Sequence, residues 1–236
     1  MADLISGRLE VDDDFEAIQT LYLERGWTDG LPVVPPTPER VEAMLAATPL
    51  SPQDIVGEIP PNWGSATVEK LAVNAVMAGC RPEYLPVVIA AVEAMCDEVF
   101  NLYAIQATTH PCAPLIIVNG PICDELGLHG GSGAFGPGWQ ANATIGRAVR
   151  LVQLNVGGAY PGVGDMSTQG APSKYTYCVA ENEEANPWED RKSVGEGKSV
   201  DLGGRRIIKK KNIFTLYFTC RDLASLPSFS SPRTSS

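Results

Sequence analysis

Residues 67–96 read TVEKLAVNAVMAGCRPEYLPVVIAAVEAMC, and this stretch decides the class of fold. Ser65 or Thr67 is placed to cap a helix that runs to Met77, and Gly79 ends it. Arg81–Pro82–Glu83 opens a second helix, with Pro82 in the first turn where its missing N–H costs nothing. That helix continues to Cys96 or Asp97. Two apolar helices joined by the tight link Ala78–Arg81 therefore form the centre of the sequence.

Upstream, the acidic start Asp12–Asp14 suits a helix N-terminus. Phe15, Ile18, Leu21 and Tyr22 follow at helical spacing, and Gly26 stops the helix. Gly30–Pro38 holds prolines at 32, 35, 36 and 38 and is expected to be an extended arm, since proline restricts itself and its predecessor. Thr37 caps a helix that begins at Pro38 and buries Val41, Met44 and Leu45. Asp54–Ile59 reads as a short strand. Downstream, Leu102–Ala107 and Pro114–Val118 read as strands, the second a continuous apolar run of the kind buried on both faces. Ala141–Val156 reads as a helix and Tyr175–Ala180 as a last strand. Strands alternating with helices predict an α/β fold, one domain over residues 10–189 with a mixed sheet flanked by helices.

Composition limits what such a domain does. The chain has 236 residues, 44% of them hydrophobic, with 23 glycines and 19 prolines, which implies many turns. No basic, then apolar, leader opens the sequence, and no apolar run is long enough to span a bilayer. The six cysteines form no CxxC pair, so they read as reduced thiols of a cytoplasmic protein rather than a disulfide or zinc scaffold. Charge divides the chain. Residues 190–236 carry ten Lys/Arg against four Asp/Glu, leaving eight against 24 for residues 1–189, a balance of +6 against −16. The acidic part repels nucleic acid and anionic membrane. Residues 190–211, DRKSVGEGKSVDLGGRRIIKKK, resemble translated sequencing-adapter read-through. The segment 190–236 is accordingly expected to be a non-native or disordered tail, with the natural sequence diverging after Trp188 or Glu189.

Several residues are candidates for chemistry. Cys80 lies between two helices beside Arg81, where a thiolate would be favoured. His110 is expected to follow a strand and to serve as a base toward a thiol or substrate. Cys178 lies in the last strand, with Glu181 at its end. Gly131, Gly133 and Gly136 match GxGxxG literally, but no strand directly precedes them and no acid follows at the required distance, so the dinucleotide reading fails. Two readings of that loop remain, backbone N–H groups facing an anion or a tight surface loop. Arg147 on the following helix favours an anion, because basic residues are so scarce here. Trp27–Pro32 either lines a pocket or caps the first helix and anchors the arm. No cofactor is expected. A metal held by His110, Cys112 and Cys80 is a weaker alternative, for which no spacing signature speaks.

Five phrases together point further. GWTDGLPVVPPTPER (26–40), TVEKLAVNAVMAGCRPEYLP (67–86), TTHPCAPLIIVNGP (108–121), ANATIGRAVRL (141–151) and CVAENEEANPW (178–188) resemble a bacterial family of UGSC-type (seleno)proteins, over residues 15–188. The resemblance implies roles for Asn74, Cys80, Arg81, Glu83, His110, Asn142, Arg147 and Glu181. The Sec/Cys-Gly-Ser-Cys motif that names the family does not occur in this chain, so a redox motif would reside in a separate partner or segment. Two functions compete. One is a thiol-dependent enzyme acting on a small anionic substrate, with Cys80 as nucleophile or redox thiol, His110 as base, and Cys178 and Glu181 as further catalytic candidates. Arg81, Asn74, Gly131, Gly133, Asn142 and Arg147 would bind the substrate. The other is a non-catalytic binding or assembly subunit of a redox system. Homo-oligomerisation is left open by both.

Overall fold

The computed structural model describes residues 4–185 and the backbone of 214–218. Helix α1 spans Phe15–Glu24, with Asp14 as its cap accepting from the Ala17 N–H at 3.0 Å. The arm follows, and α2 spans Pro38–Leu45 with Val41, Met44 and Leu45 buried as expected. Thr37 stands at its N-cap position but makes no side-chain capping bond. Strands β1 (Ile55–Ile59) and β2 (Gly64–Thr67) form an antiparallel hairpin.

The central helices are close to expectation. Helix α3 spans Val68–Ala78, Thr67 accepts from the Lys70 N–H, and Gly79 ends the helix at φ +85°, a conformation that favours glycine. A 3-10 turn at Pro82–Tyr84 takes up the proline, and α4 begins three residues later than expected, at Leu85–Met95. Glu69, buried on α3, accepts the backbone N–H groups of Ile5 and Ser6 and the amide of Gln53, which fastens the first described residues to this helix.

Leu102–Ala107 is a correction. It is a helix, α5, and not a strand. Asn101, left-handed at φ +52°, accepts from the Ala104 N–H, while Leu102, Ile105 and Gln106 turn inward at helical spacing. Strand β3 is Pro114–Val118, with only Ile116 and Val118 fully buried, so it alternates rather than being buried on both faces. Helix α6 (Ile122–Leu126) and α7 (Gln140–Asn155) follow. The last expected strand shortens to β4, Cys178–Ala180, because Tyr175 still closes a 3-10 turn over Pro172–Lys174 and Thr176 bonds its hydroxyl to α7 carbonyls.

Strand β4 pairs parallel with β3. On the other edge of β3, β5 (Phe214–Phe218) runs antiparallel over all five residues. The sheet is therefore mixed, in the order β4-β3-β5. Strand β5 lies inside the segment expected to be a disordered tail outside the domain, and the rest of that segment lies outside the described residues. The fold is mixed α/β with helices dominant. Its core is one cluster in which α3 packs most extensively on α7, with α2, α4 and β3 closing around them.

Candidate functional site

The expected constellation comes together only in part. Cys80 sits just past the C-terminal end of α3, its N–H donating to the Ala75 carbonyl at 3.0 Å. A helix C-terminus disfavours an anion. Burial of the thiol pushes its pKa up to about 12, against the opposing pull of the Thr144 hydroxyl and the Arg147 charge. The thiolate expected from the sequence is thus opposed by its surroundings. Arg81, its neighbour in sequence, turns elsewhere. Its guanidinium donates to the Tyr84 hydroxyl at 2.8 Å and the Leu126 carbonyl at 3.4 Å, and pairs with Glu83.

Arg147 does reach the Cys80 corner, but it is already engaged. Its guanidinium grips Asp29 through two 2.8 Å bonds and donates to the carbonyls of Leu31 and Pro32. Burial pushes the Asp29 carboxyl up. Arg147, the Leu31 N–H and the Thr28 hydroxyl outweigh it and hold the carboxyl below its ordinary value. Arg147 is therefore a clamp on the Trp27–Pro32 loop, and the anchoring reading of that loop is the one this geometry matches. Asn74 is internal as well. It donates to the Lys70 carbonyl and accepts from Asn155, which also donates to the Trp27 carbonyl.

The glycine-rich loop is closed by its own bonds. Asn142 accepts from the His129 N–H and donates to the carbonyls of His129 and Ala134, so it clasps the loop to α7. The N–H groups of Ala134 and Gly136 turn back to the carbonyls of Gly131 and Gly133. His129 stacks on Trp139 with ring centres 3.8 Å apart.

His110 and Glu181 lie at opposite ends of the sheet. His110 follows α5, not a strand, and precedes the start of β3, where its ring meets the Thr108 hydroxyl at 3.2 Å. Glu181 follows the end of β4 and accepts from Asn119. Strands rise about 3.3 Å per residue, so the five residues of the parallel strand β3 separate the two by roughly 13 Å or more. No hydrogen bond or charge interaction joins His110 to Cys80 among the described residues. Cys178 is buried, which pushes its pKa well above the ordinary thiol value, with Cys123 and Cys80 adding to the rise.

A different place gathers charge. At the N-terminal end of β3, a cleft opens between α7 and the turn before β4. It is shallow and open, with a cavity of about 10 Å³, room for a water-sized group. Arg150 and Lys174 line it, and both reach the same oxygen of buried Asp165, at 3.1 and 2.8 Å. The other Asp165 oxygen takes the Ser167 N–H. Arg150 uses only Nη2, on Asp165 and the Ala159 carbonyl, so two of its three guanidinium nitrogens make no hydrogen bond among the described residues. Burial lowers the Arg150 pKa and Asp165 raises it, which leaves a guanidinium that stays charged. Two cations facing one carboxylate leave a net positive site, and guanidinium presents donors in the planar fork that matches a carboxylate or phosphate.

Sequence reasoning missed Arg150, Lys174 and Asp165. A signal existed, since Arg147, Arg150 and Lys174 are three of only eight basic residues in positions 1–189. Among the described residues, no group of three or more His, Cys, Asp or Glu is arranged to hold a metal ion, and no helix is long and apolar enough to cross a membrane. The chain matches no family model, no curated protein and no solved structure.

Proposed function

We propose that the protein binds a small anionic molecule in the cleft of Arg150 and Lys174, and that binding rather than thiolate catalysis at Cys80 is its function. One observation carries this reading. Two cations share a single carboxylate inside a cleft, in a part of the chain whose overall balance is strongly negative. Buried like charges are costly unless paired, so an anion supplied from outside would complete the pairing. The likeness to UGSC-type proteins supports a binding role beside a separate redox partner.

The test is thermal unfolding of the whole chain with increasing acetate or phosphate at constant ionic strength. A ligand that binds only the folded state raises Tm with concentration. Wild-type protein should respond and Lys174→Met should respond at least tenfold more weakly. No response from wild-type protein to either anion would end this reading.

A second reading keeps the thiol. Cys112 lines the same cleft as Arg150 and Lys174, within reach of an anionic substrate held by the two cations. A thiol-dependent enzyme would then use Cys112 in place of Cys80, on the same anionic substrate. Iodoacetamide labelling at pH 7 with mass mapping separates the two. Fast modification of Cys112 in folded protein favours the enzyme, and no modification favours binding.

A further inference from the structure

The cleft is sized for a single atom. Its cavity of about 10 Å³ admits a water-sized group, whereas acetate or phosphate brings several heavy atoms. Its charged walls are built into the protein rather than laid on the surface. The side chains of Arg150, Lys174 and Asp165 are only 10%, 11% and 4% exposed. Both Asp165 oxygens are engaged, one by the two cations and the other by the Ser167 N–H. Donors are left over on the cationic side. Arg150 keeps two guanidinium nitrogens without a hydrogen bond among the described residues, and Lys174 spends one of its three ammonium protons. Asn155 Oδ1 is the one fully buried side-chain polar atom that lacks a partner among the described residues. The spare Arg150 nitrogens are therefore not sealed in the core, and they open on the cleft that Arg150 lines.

A water molecule would meet these donors with its oxygen but must also find acceptors for its own two protons. A single negatively charged atom only accepts. Charge points the same way. Arg147, one turn along α7, is neutralised by Asp29, which leaves Arg150, Lys174 and Asp165 with one net positive charge. A monatomic monoanion balances that charge, and a dianionic phosphate exceeds it. From size, donors and charge together, and resting on the anion-binding reading above, we infer that the cleft takes a halide ion, chloride being the common one. The ion bridges Arg150 of α7 and Lys174 of the 3-10 turn, so it ties the approach to β4 onto that helix. Larger anions reach the same cations only from the open mouth.

The experiment reads Tm of the full chain as sodium chloride, acetate or phosphate replaces sodium gluconate at fixed pH and ionic strength. Chloride should raise Tm saturably and half-saturate at a concentration about tenfold below acetate, with phosphate weaker still. Chlorine NMR should show the chloride line broadened by the protein and sharpened again by bromide. Lys174→Met should weaken the chloride response about tenfold, whereas Lys174→Arg, which keeps the charge, should hold it to within about threefold. Lys70→Met removes the same charge from an exposed lysine and should leave the response unchanged. If Lys70→Met weakens it as much as Lys174→Met does, the ion is not held in this cleft. If acetate or phosphate acts at the same concentration as chloride or a lower one, the halide is wrong while anion binding stands. Silence with all three anions would instead overturn the anion-binding reading itself.

Discussion

Asp29 and Arg147 are 118 residues apart and meet through two 2.8 Å bonds with little exposure, 4% and 15%. Removing one partner of such a pair strands the other, which costs about 3 kcal/mol. Arg147→Ala should therefore lower stability by about that amount in urea unfolding, and Arg147→Lys should recover only part of it, because the two-pronged grip is lost. The Asp29 carboxyl is held below its ordinary value. Its stabilisation is thus complete above the unfolded carboxylate pKa of about 3.9 and is lost as pH falls through the folded value. Asp29→Asn should be less stable than wild type at pH 7 and should show a shallower loss in acid. Cys80 acts at the other end of the scale. Its thiol, raised to about 12, stays protonated while an unfolded chain ionises near 9, so stability should decline between those values as pH rises. Cys80→Ser should remove only its own share of that alkaline decline, measurable as Tm against pH, because Cys96, Cys123 and Cys178 are raised as well. The sequence pointed to the right corner here, since Cys80 and Arg147 do come together. The chemistry was misread because Arg81, adjacent in the chain, sends its charge to Tyr84 and Leu126, and sequence adjacency says nothing about direction.

The longer helices were legible, as were strands β1 and β3, while other short elements were not. Thr67, Gly79 and Pro82 each mark a boundary by a local steric or hydrogen-bonding rule, so α3 and the turn into α4 were readable from neighbours alone. Helix α5 was not, because LYAIQA carries tyrosine and isoleucine that favour strands, and the deciding feature is the left-handed Asn101 before it. Asn101→Ala should cost about 1 kcal/mol through the lost cap, while Asn101→Gly, freed of the strain at φ +52°, should cost less. The ordering of these two variants in chemical denaturation checks the assignment. Gly146 on α7 gives a sharper case. Alanine normally improves a helix by about 1 kcal/mol over glycine. Here a Cβ would stand 2.6 Å from the Tyr177 backbone nitrogen and against the Thr176 hydroxyl. Gly146→Ala should destabilise the protein and weaken anion binding together, since Gly146 also lines the cleft. A variant with raised Tm and unchanged binding would contradict that close approach.

At the scale of the whole molecule, the acidic balance of the first 189 residues makes its few cations informative. Arg147 and Arg150 lie one turn apart on α7 and divide two tasks, one closing the Trp27–Pro32 loop and the other facing the cleft with Lys174. Their scarcity was visible in the composition, but which one was spent internally was not, because Asp29 and Asp165 are distant in sequence from one another and arrive by tertiary packing. The alternation of helices and strands gave the class of fold, whereas the sheet proved smaller than the strand pattern implied. The boundary at residue 190 marks a change of charge but not the end of pairing along β3, since 214–218 occupies its second edge.

Glu69 adds a last consequence. It holds the start of the described chain largely through the main-chain N–H groups of Ile5 and Ser6, and the Ile5 side chain stays 76% exposed. A grip on peptide nitrogen is nearly indifferent to what side chain is attached, so residue 5 is free to drift in evolution without loosening the arm. Proline alone is forbidden there, because it has no hydrogen to give.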